Sequence, residues 1–131
     1  MGRPLRNKNN IEAIYPTTPL QGGIYFHHEY EQKDRSYVLQ LAWELAGDLA
    51  VEVFAQSVAL LRERHEALRM NFAHLPDRGL RQIIYRKKEG GVTYRDYSQA
   101  GEETVEWLKF VGEEYGHEFD LKEGELFRAL E

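Results

Sequence analysis

Ile14-Tyr15-Pro16-Thr17-Thr18-Pro19-Leu20-Gln21-Gly22-Gly23-Ile24-Tyr25-Phe26-His27-His28 joins the end of an extended segment to the start of a helix. Pro16 fixes its own φ and pushes Tyr15 toward extended geometry, so a strand over 11–15 should end here. Thr18 is a good N-cap and Pro19 sits at the first helical position, where a missing N–H is harmless. Gln21 completes a Thr-x-x-Gln capping box. Gly22 and Gly23 early in a helix each cost about 1 kcal/mol against alanine. That cost points to a close neighbour or an approaching ligand; the plainer alternative is a surface helix with small residues under a strand. The helix is predicted over 19–30.

Working outward, residues 1–10 are basic and polar without periodicity and read as a disordered lead-in or linker, leaving one domain or part of one over 11–131. Residues 31–36 form a charged loop. Tyr37, Leu39, Leu41, Trp43 and Leu45 then alternate with Val38, Gln40, Ala42 and Glu44, the pattern of a strand with one buried face. Gly47-Asp48 ends it, with Asp48 as the expected N-cap of a helix over 49–65. In that helix Val51, Phe54, Ala55, Val58 and Leu61 face inward, and Glu52, Gln56, Arg62, Glu63 and Glu66 face water.

Residues 68–73 and 80–87 read as a hairpin around Pro76-Asp77-Arg78-Gly79, with Ile83 and Tyr85 on one face and Ile84 on the other. A weak strand is predicted over 92–97. A third helix follows, opened by Glu102 and Glu103 and carrying an apolar stripe of Thr104, Trp107, Leu108, Val111 and Tyr115. Phe119-Asp120-Leu121 is a turn, and a strand begins at Leu126. The fold class is α/β (α+β): a two-layer sandwich with helices packed on a mixed, largely antiparallel sheet.

Composition narrows the function classes. With 42% hydrophobic and 30% charged residues the chain is an ordinary globular protein. A net charge of −5 and the absence of a basic run argue against nucleic acid as a partner. With no cysteine in the chain, disulfides and thiolate chemistry are excluded. No apolar run approaches the ~20 residues of a membrane span, which makes a cytoplasmic location the default.

Chemistry-bearing residues are few. His27 and His28 are adjacent on a helix; as metal ligands they would need partners at i+3 or i+4, where Tyr30 and Glu31 stand, so no metal site is expected. His65, His74 and His117 suggest no Ser-His-Asp set, and Gly22-Gly23, Gly90-Gly91 and Gly101 lack phosphate-loop spacing. Arg64 and Arg69 bracket the junction after the second helix. They are either solvated helix-end cations or, for Arg69, a buried cation on a strand that needs a carboxylate.

Three segments in order resemble the condensation domains of nonribosomal peptide synthetases: Tyr15 to His27, Arg64-His65-Glu66-Ala67-Leu68-Arg69-Met70-Asn71-Phe72, and Phe119-Asp120-Leu121 to Ala129. The turn Leu45-Ala46-Gly47-Asp48-Leu49 is similar as well. The resemblance implies part of the donor-side lobe of a chloramphenicol acetyltransferase-like fold. It implies formation of a peptide bond between aminoacyl or peptidyl thioesters carried on phosphopantetheine arms, with carrier domains and the remainder of the condensation domain as partners and no cofactor bound. The family's His-His-x-x-x-Asp-Gly loop would follow the strand starting at Leu126 and is expected to lie beyond Glu131, so no catalytic residue is expected within the 131 residues. His27-His28 is not that loop, because Gln32 stands where Asp is required.

By resemblance the chain is therefore inactive alone. Thr18, Pro19, Gln21, Gly22, Gly23 and His27 would line or buttress the substrate tunnel, and Arg69, with Arg64, would serve a structural ion pair to the missing loop's aspartate. Gly22 replaces a common Glu, and Glu125 a common Pro. The Tyr-Pro-Thr-Thr-Pro-Leu-Gln form is closer to D-donor or dual members, although the dual signature's hydrophobic residue and Gly-Asp are not matched after His28. A different expectation, resting on an unfinished sheet edge, is a non-catalytic half-lobe that docks a carrier or self-associates. A small enzyme using His27 or His28 is the remaining alternative.

Overall fold

A computed structural model describes residues 8–88, 90–99, 103–124 and 126–130, without the side chains of residues 103, 104 and 130. Most of the expected lead-in, Gly101, Glu102 and Glu125 lie outside the described residues. So does Glu131, the residue beyond which the His-His-x-x-x-Asp-Gly loop is expected. Lys8–Asn10 forms one 3-10 turn, and Asn10 accepts from the amides of Arg86 and Lys87, so pairing starts just before the first strand.

The central element is an antiparallel three-stranded sheet in the order β1-β3-β2, where β1 is Ile11–Pro16, β2 Met70–Leu75 and β3 Gly79–Tyr85. The β2–β3 hairpin turns as its residues dictate, with Gly79 taking a φ of +73° that a side chain would disfavour. β1 joins β3 in antiparallel register, Ile14 beside Ile83 and Tyr15 beside Gln82, with a shift between Ile11 and Ala13. Ile83 and Ile84, neighbours that point to opposite faces, are 0% and 2% exposed, so both faces of the central strand are covered.

α1 is Pro19–Tyr30, and its start follows from the capping box: the Gln21 amide donates to Thr18 Oγ1 at 3.1 Å and the Thr18 amide to Gln21 Oε1 at 2.9 Å. It lies on the sheet face that carries Phe72 and Gln82. Tyr25 meets Phe72 at a ring separation of 5.7 Å, and Gln21 reaches Gln82. α2 is Val51–Arg64. Its N-cap is Ala50 with no side-chain cap, so Asp48 does not play the expected role. Arg62, expected on the wet face, is buried: its guanidinium stacks 5.6 Å from the Phe127 ring and donates to the Phe127 carbonyl. A long side chain buries readily when an aromatic face and a carbonyl take its stem and its charge.

Residues 66–69 form a 3-10 turn, so the strand expected over 68–73 begins only at Met70 and Arg69 stands on a turn at the mouth of β2. α3 is Glu103–Tyr115, and among its described side chains Phe110 is buried while Trp107 and Leu108 are exposed; Thr104 lies outside the described side chains. The predicted strand over 92–97 shrinks to β4, Val92–Thr93, and the one from Leu126 to β5, Ala129–Leu130; the two pair in parallel.

The clearest departure is the segment 37–45. Its alternation is that of a strand, yet it is irregular, and Leu39 and Trp43 are 92% and 74% exposed. No backbone group from Leu39 to Leu49 bonds to another described residue. Alternation prepares a segment for a sheet, but a strand exists only when a neighbour supplies the other half of its hydrogen bonds.

Candidate functional site

The end of α1 brings together what the sequence kept apart. His27 Nε2 lies 2.6 Å from Asp34 Oδ2 across the helix end, and the His27 ring meets Tyr37 edge-on at 5.4 Å. The other oxygen of Asp34 accepts from the Ser36 hydroxyl and from the Ser36 amide at 2.9 Å, an Asx turn that aims the carboxylate back at the helix. Beside this pair is a cavity of about 300 Å³ walled by Ile24, Val38, Leu121 and Leu126, with His27, His28 and Asp34 at its polar side. His28 Nδ1 is buried with no hydrogen-bond partner among the described residues. With its hydrogen on Nε2, His27 donates to Asp34 and leaves Nδ1 as an acceptor.

The Ser36 hydroxyl, then His27, hold the Asp34 carboxyl at about 2 against a usual 3.8. Because the folded value is depressed, the clamp is at full strength above about pH 4 and is lost as pH falls toward 2. In a carboxyl NMR titration Asp34 should show a midpoint near 2. S36A should move it up more than H27A does, and a wild-type midpoint at the usual value would refute the clamp.

The walls are held by further ties. The Lys122 ammonium donates to Glu29 at 2.7 Å, a bond that raises the lysine pKa, and so fixes the 119–124 turn to α1. Burial, then the Glu29 charge, raises the Tyr25 phenol above its usual value. Arg35 donates to the carbonyls of Tyr115 and His117, closing the end of α3 against the same loop. Asn71, 1% exposed, donates to the carbonyls of Leu121 and Gly124 and docks the turn on the edge of β2.

A second constellation surrounds Arg69. Its guanidinium pairs with Glu12 of β1 and donates to the carbonyls of Arg62, Glu63 and Tyr85. One buried cation thus ties the end of α2 to β1 and β3. The open choice for Arg69 falls on the buried cation, with Glu12 as the carboxylate within the chain. Arg64 is exposed on the last turn of α2, in keeping with a solvated helix-end cation.

Of the residues singled out in the sequence, Thr18, Pro19 and Gln21 build the helix start and His27 lines the cavity. Gly22 and Gly23 stand apart from it. A methyl group on Gly22 would come no nearer than 4.0 Å to the Thr17 hydroxyl, and on Gly23 it would meet nothing, so no close neighbour explains either glycine among the described residues. Glu31, the i+4 candidate, is not the histidine's partner; Asp34 is. Asp34, Ser36, Glu12, Glu29 and Lys122 were not anticipated. The Asp-x-Ser pattern at Asp34 was the one local signal available, and the others act at separations of fifty residues or more.

The family model described as the condensation domain matches residues 11–130. The chain belongs to the condensation-domain family. Among curated relatives, tyrocidine synthase 3 of Brevibacillus parabrevis is 28% identical over 126 residues, covering 95% of this chain and 2% of that protein. Surfactin synthase subunit 2 of Bacillus subtilis (strain 168) is 30% identical over 127 residues, covering 94% of this chain and 4% of that protein. The solved starter condensation domain of rhizomide synthetase shares the fold, with a TM-score of 0.76 at 18% identity over 91% of this chain and 28% of that one. The condensation domain of a monacolin K polyketide synthase gives 0.64 at 17% identity over 93% of this chain and 27% of that one. This condensation-domain chain therefore corresponds to part of such a domain, with the mixed helix-and-sheet, chloramphenicol acetyltransferase-like fold expected of it.

Proposed function

We propose that the chain is the first part of the donor-side lobe of a condensation domain whose whole form joins carrier-bound aminoacyl or peptidyl thioesters through a peptide bond. The observation that carries this is coverage: 91% of the chain follows the path of a solved condensation domain while accounting for 28% of that domain. Thr18, Pro19, Gln21, Gly22, Gly23 and His27 are then tunnel-side or supporting residues, and Arg69 is a structural brace. Its buried bonds to Glu12 and three carbonyls support that brace without any catalytic duty.

The partners on this reading are the remaining lobe and carrier domains presenting phosphopantetheine thioesters, in the cytoplasm. No described helix is long and apolar enough to cross a membrane. The test supplies two loaded carrier domains to the chain alone and to the chain joined, after Glu131, to downstream condensation-domain residues bearing His-His-x-x-x-Asp-Gly. Mass spectrometry should find the dipeptidyl thioester only with the joined form. Product from the chain alone, or none from a folded joined form, refutes the proposal.

A second reading, a non-catalytic half-lobe that docks a carrier domain or self-associates, is favoured by one observation: the exposed segment 39–45, whose backbone makes no hydrogen bond among the described residues.

A further inference from the structure

We infer that Arg62 is a positioning residue for the condensation step: it fixes the chain at Phe127, just ahead of the loop that carries the chemistry of the whole domain. This rests on the reading that residues beyond Glu131 bear His-His-x-x-x-Asp-Gly, and adds to it a residue of α2 that acts on that loop from behind. The first observation is a double hold on one residue. The Arg62 guanidinium donates to the Phe127 carbonyl at 3.1 Å and lies 5.6 Å from the centre of the Phe127 ring. One planar group grips both the backbone and the side chain of Phe127, which fixes where the chain lies and how it is turned.

The second observation is cost. Arg62 is 6% exposed. A leucine there would pack on the Phe127 ring without desolvating a charge, so burial alone does not call for arginine. What arginine adds is direction: a bond to one carbonyl, at one place along the segment.

The third observation is that Arg62 is itself held. Its carbonyl accepts from Arg69 Nε at 2.8 Å, and Arg69 pairs with Glu12 of β1. A run of direct contacts therefore leads from the sheet through Glu12, Arg69 and Arg62 to Phe127. The next residue is held from α3: Arg128 donates to Glu114 at 3.0 Å and lies 3.4 Å from His117 Nε2. Phe127 stands four residues before Glu131, so even an extended chain puts no more than about 14 Å between this anchor and the residue after which the loop is expected. A displacement of about 1 Å at reacting groups is enough to cost roughly 100-fold in rate.

The test uses the domain in which the chain is joined after Glu131 to downstream condensation-domain residues, in excess over a donor-loaded carrier and with saturating acceptor-loaded carrier. In such a single turnover the rate constant reports the geometry of the site and the amplitude reports the folded fraction, so a merely structural role moves the amplitude alone. Arg62→Met keeps the apolar stem and loses the donors. It should lower the rate constant about 10- to 100-fold, with the half-saturating concentration of either carrier changed less than about twofold. Arg62→Lys can still reach the carbonyl but cannot stack as a plane, and should recover part of the loss. Ile83→Val, on the central strand, should lower the unfolding midpoint and leave the rate constant at the wild-type value. If circular dichroism shows Arg62→Met unfolded, Phe127→Leu decides: it removes the stacked ring, keeps the carbonyl, and should slow the step about fivefold. A wild-type rate constant in the folded variant, a loss confined to amplitude, or equal slowing by Ile83→Val overturns the inference. A folded wild-type domain that makes no product refutes the proposed function and takes this inference with it, whereas wild-type product without the Arg62 effect refutes this inference alone.

Discussion

Arg69→Ala is expected to lower the unfolding free energy by about 3 kcal/mol or more, enough to leave a domain of this size marginal. The guanidinium is buried and uses four of its five N–H groups, meeting Glu12 and the carbonyls of Arg62, Glu63 and Tyr85. Removing it strands those acceptors at the junction of α2, β1 and β3, and each buried group left without a partner costs about 1–3 kcal/mol. The Glu12 side chain is 37% exposed, so water recovers part of its loss and the carbonyls carry most of the effect. Arg69→Lys keeps the charge but cannot span four acceptors with one ammonium, and should recover less than half of the loss. Urea unfolding followed by far-UV circular dichroism measures both. A loss below about 1 kcal/mol for Arg69→Ala would show that the brace is dispensable.

Ile83→Ala should cost about 3–4 kcal/mol, near the upper part of the range for buried aliphatic truncations. Ile83 is 0% exposed on the central strand, with Ile14 on one side and Asn71 on the other. A strand bonded on both edges cannot collapse into the space, so the cavity persists instead of relaxing. Ile83→Val, which removes a single methyl group, should cost about 1 kcal/mol. The same unfolding measurement decides it: equal losses for Val and Ala would mean that the site closes up around whatever is placed there.

Both effects lie where the sequence was only partly informative. Ile83 reads as apolar in any pattern, but that Ile84 is buried as well depends on a second covered face, which the alternation of β3 does not announce. Arg69 reads either as a wet cation or as a buried one. Glu12, which settles the choice, lies 57 residues away in sequence. The His27–Asp34 clamp is intermediate: the Asp-x-Ser turn is local, but its aim at His27 depends on where α1 stops.

The sequence by itself determined the features whose causes lie within a turn or two of chain. These are the capping box at Thr18 and Gln21, the hairpin turned at Gly79, the existence of three helices and two hairpin strands, and membership of the family through its three ordered segments. Steric restriction and nearest-neighbour hydrogen bonds act over a few residues, so they are written in adjacent letters. Tertiary structure alone decided the rest. It made a buried stack of Arg62 on Phe127, chose Phe110 over Trp107 for the interior, left Gly22 and Gly23 without a close neighbour among the described residues, and withheld a strand from 37–45 despite ideal alternation. Burial and strand pairing are two-body events between distant segments, and a sequence pattern records only one of the two bodies.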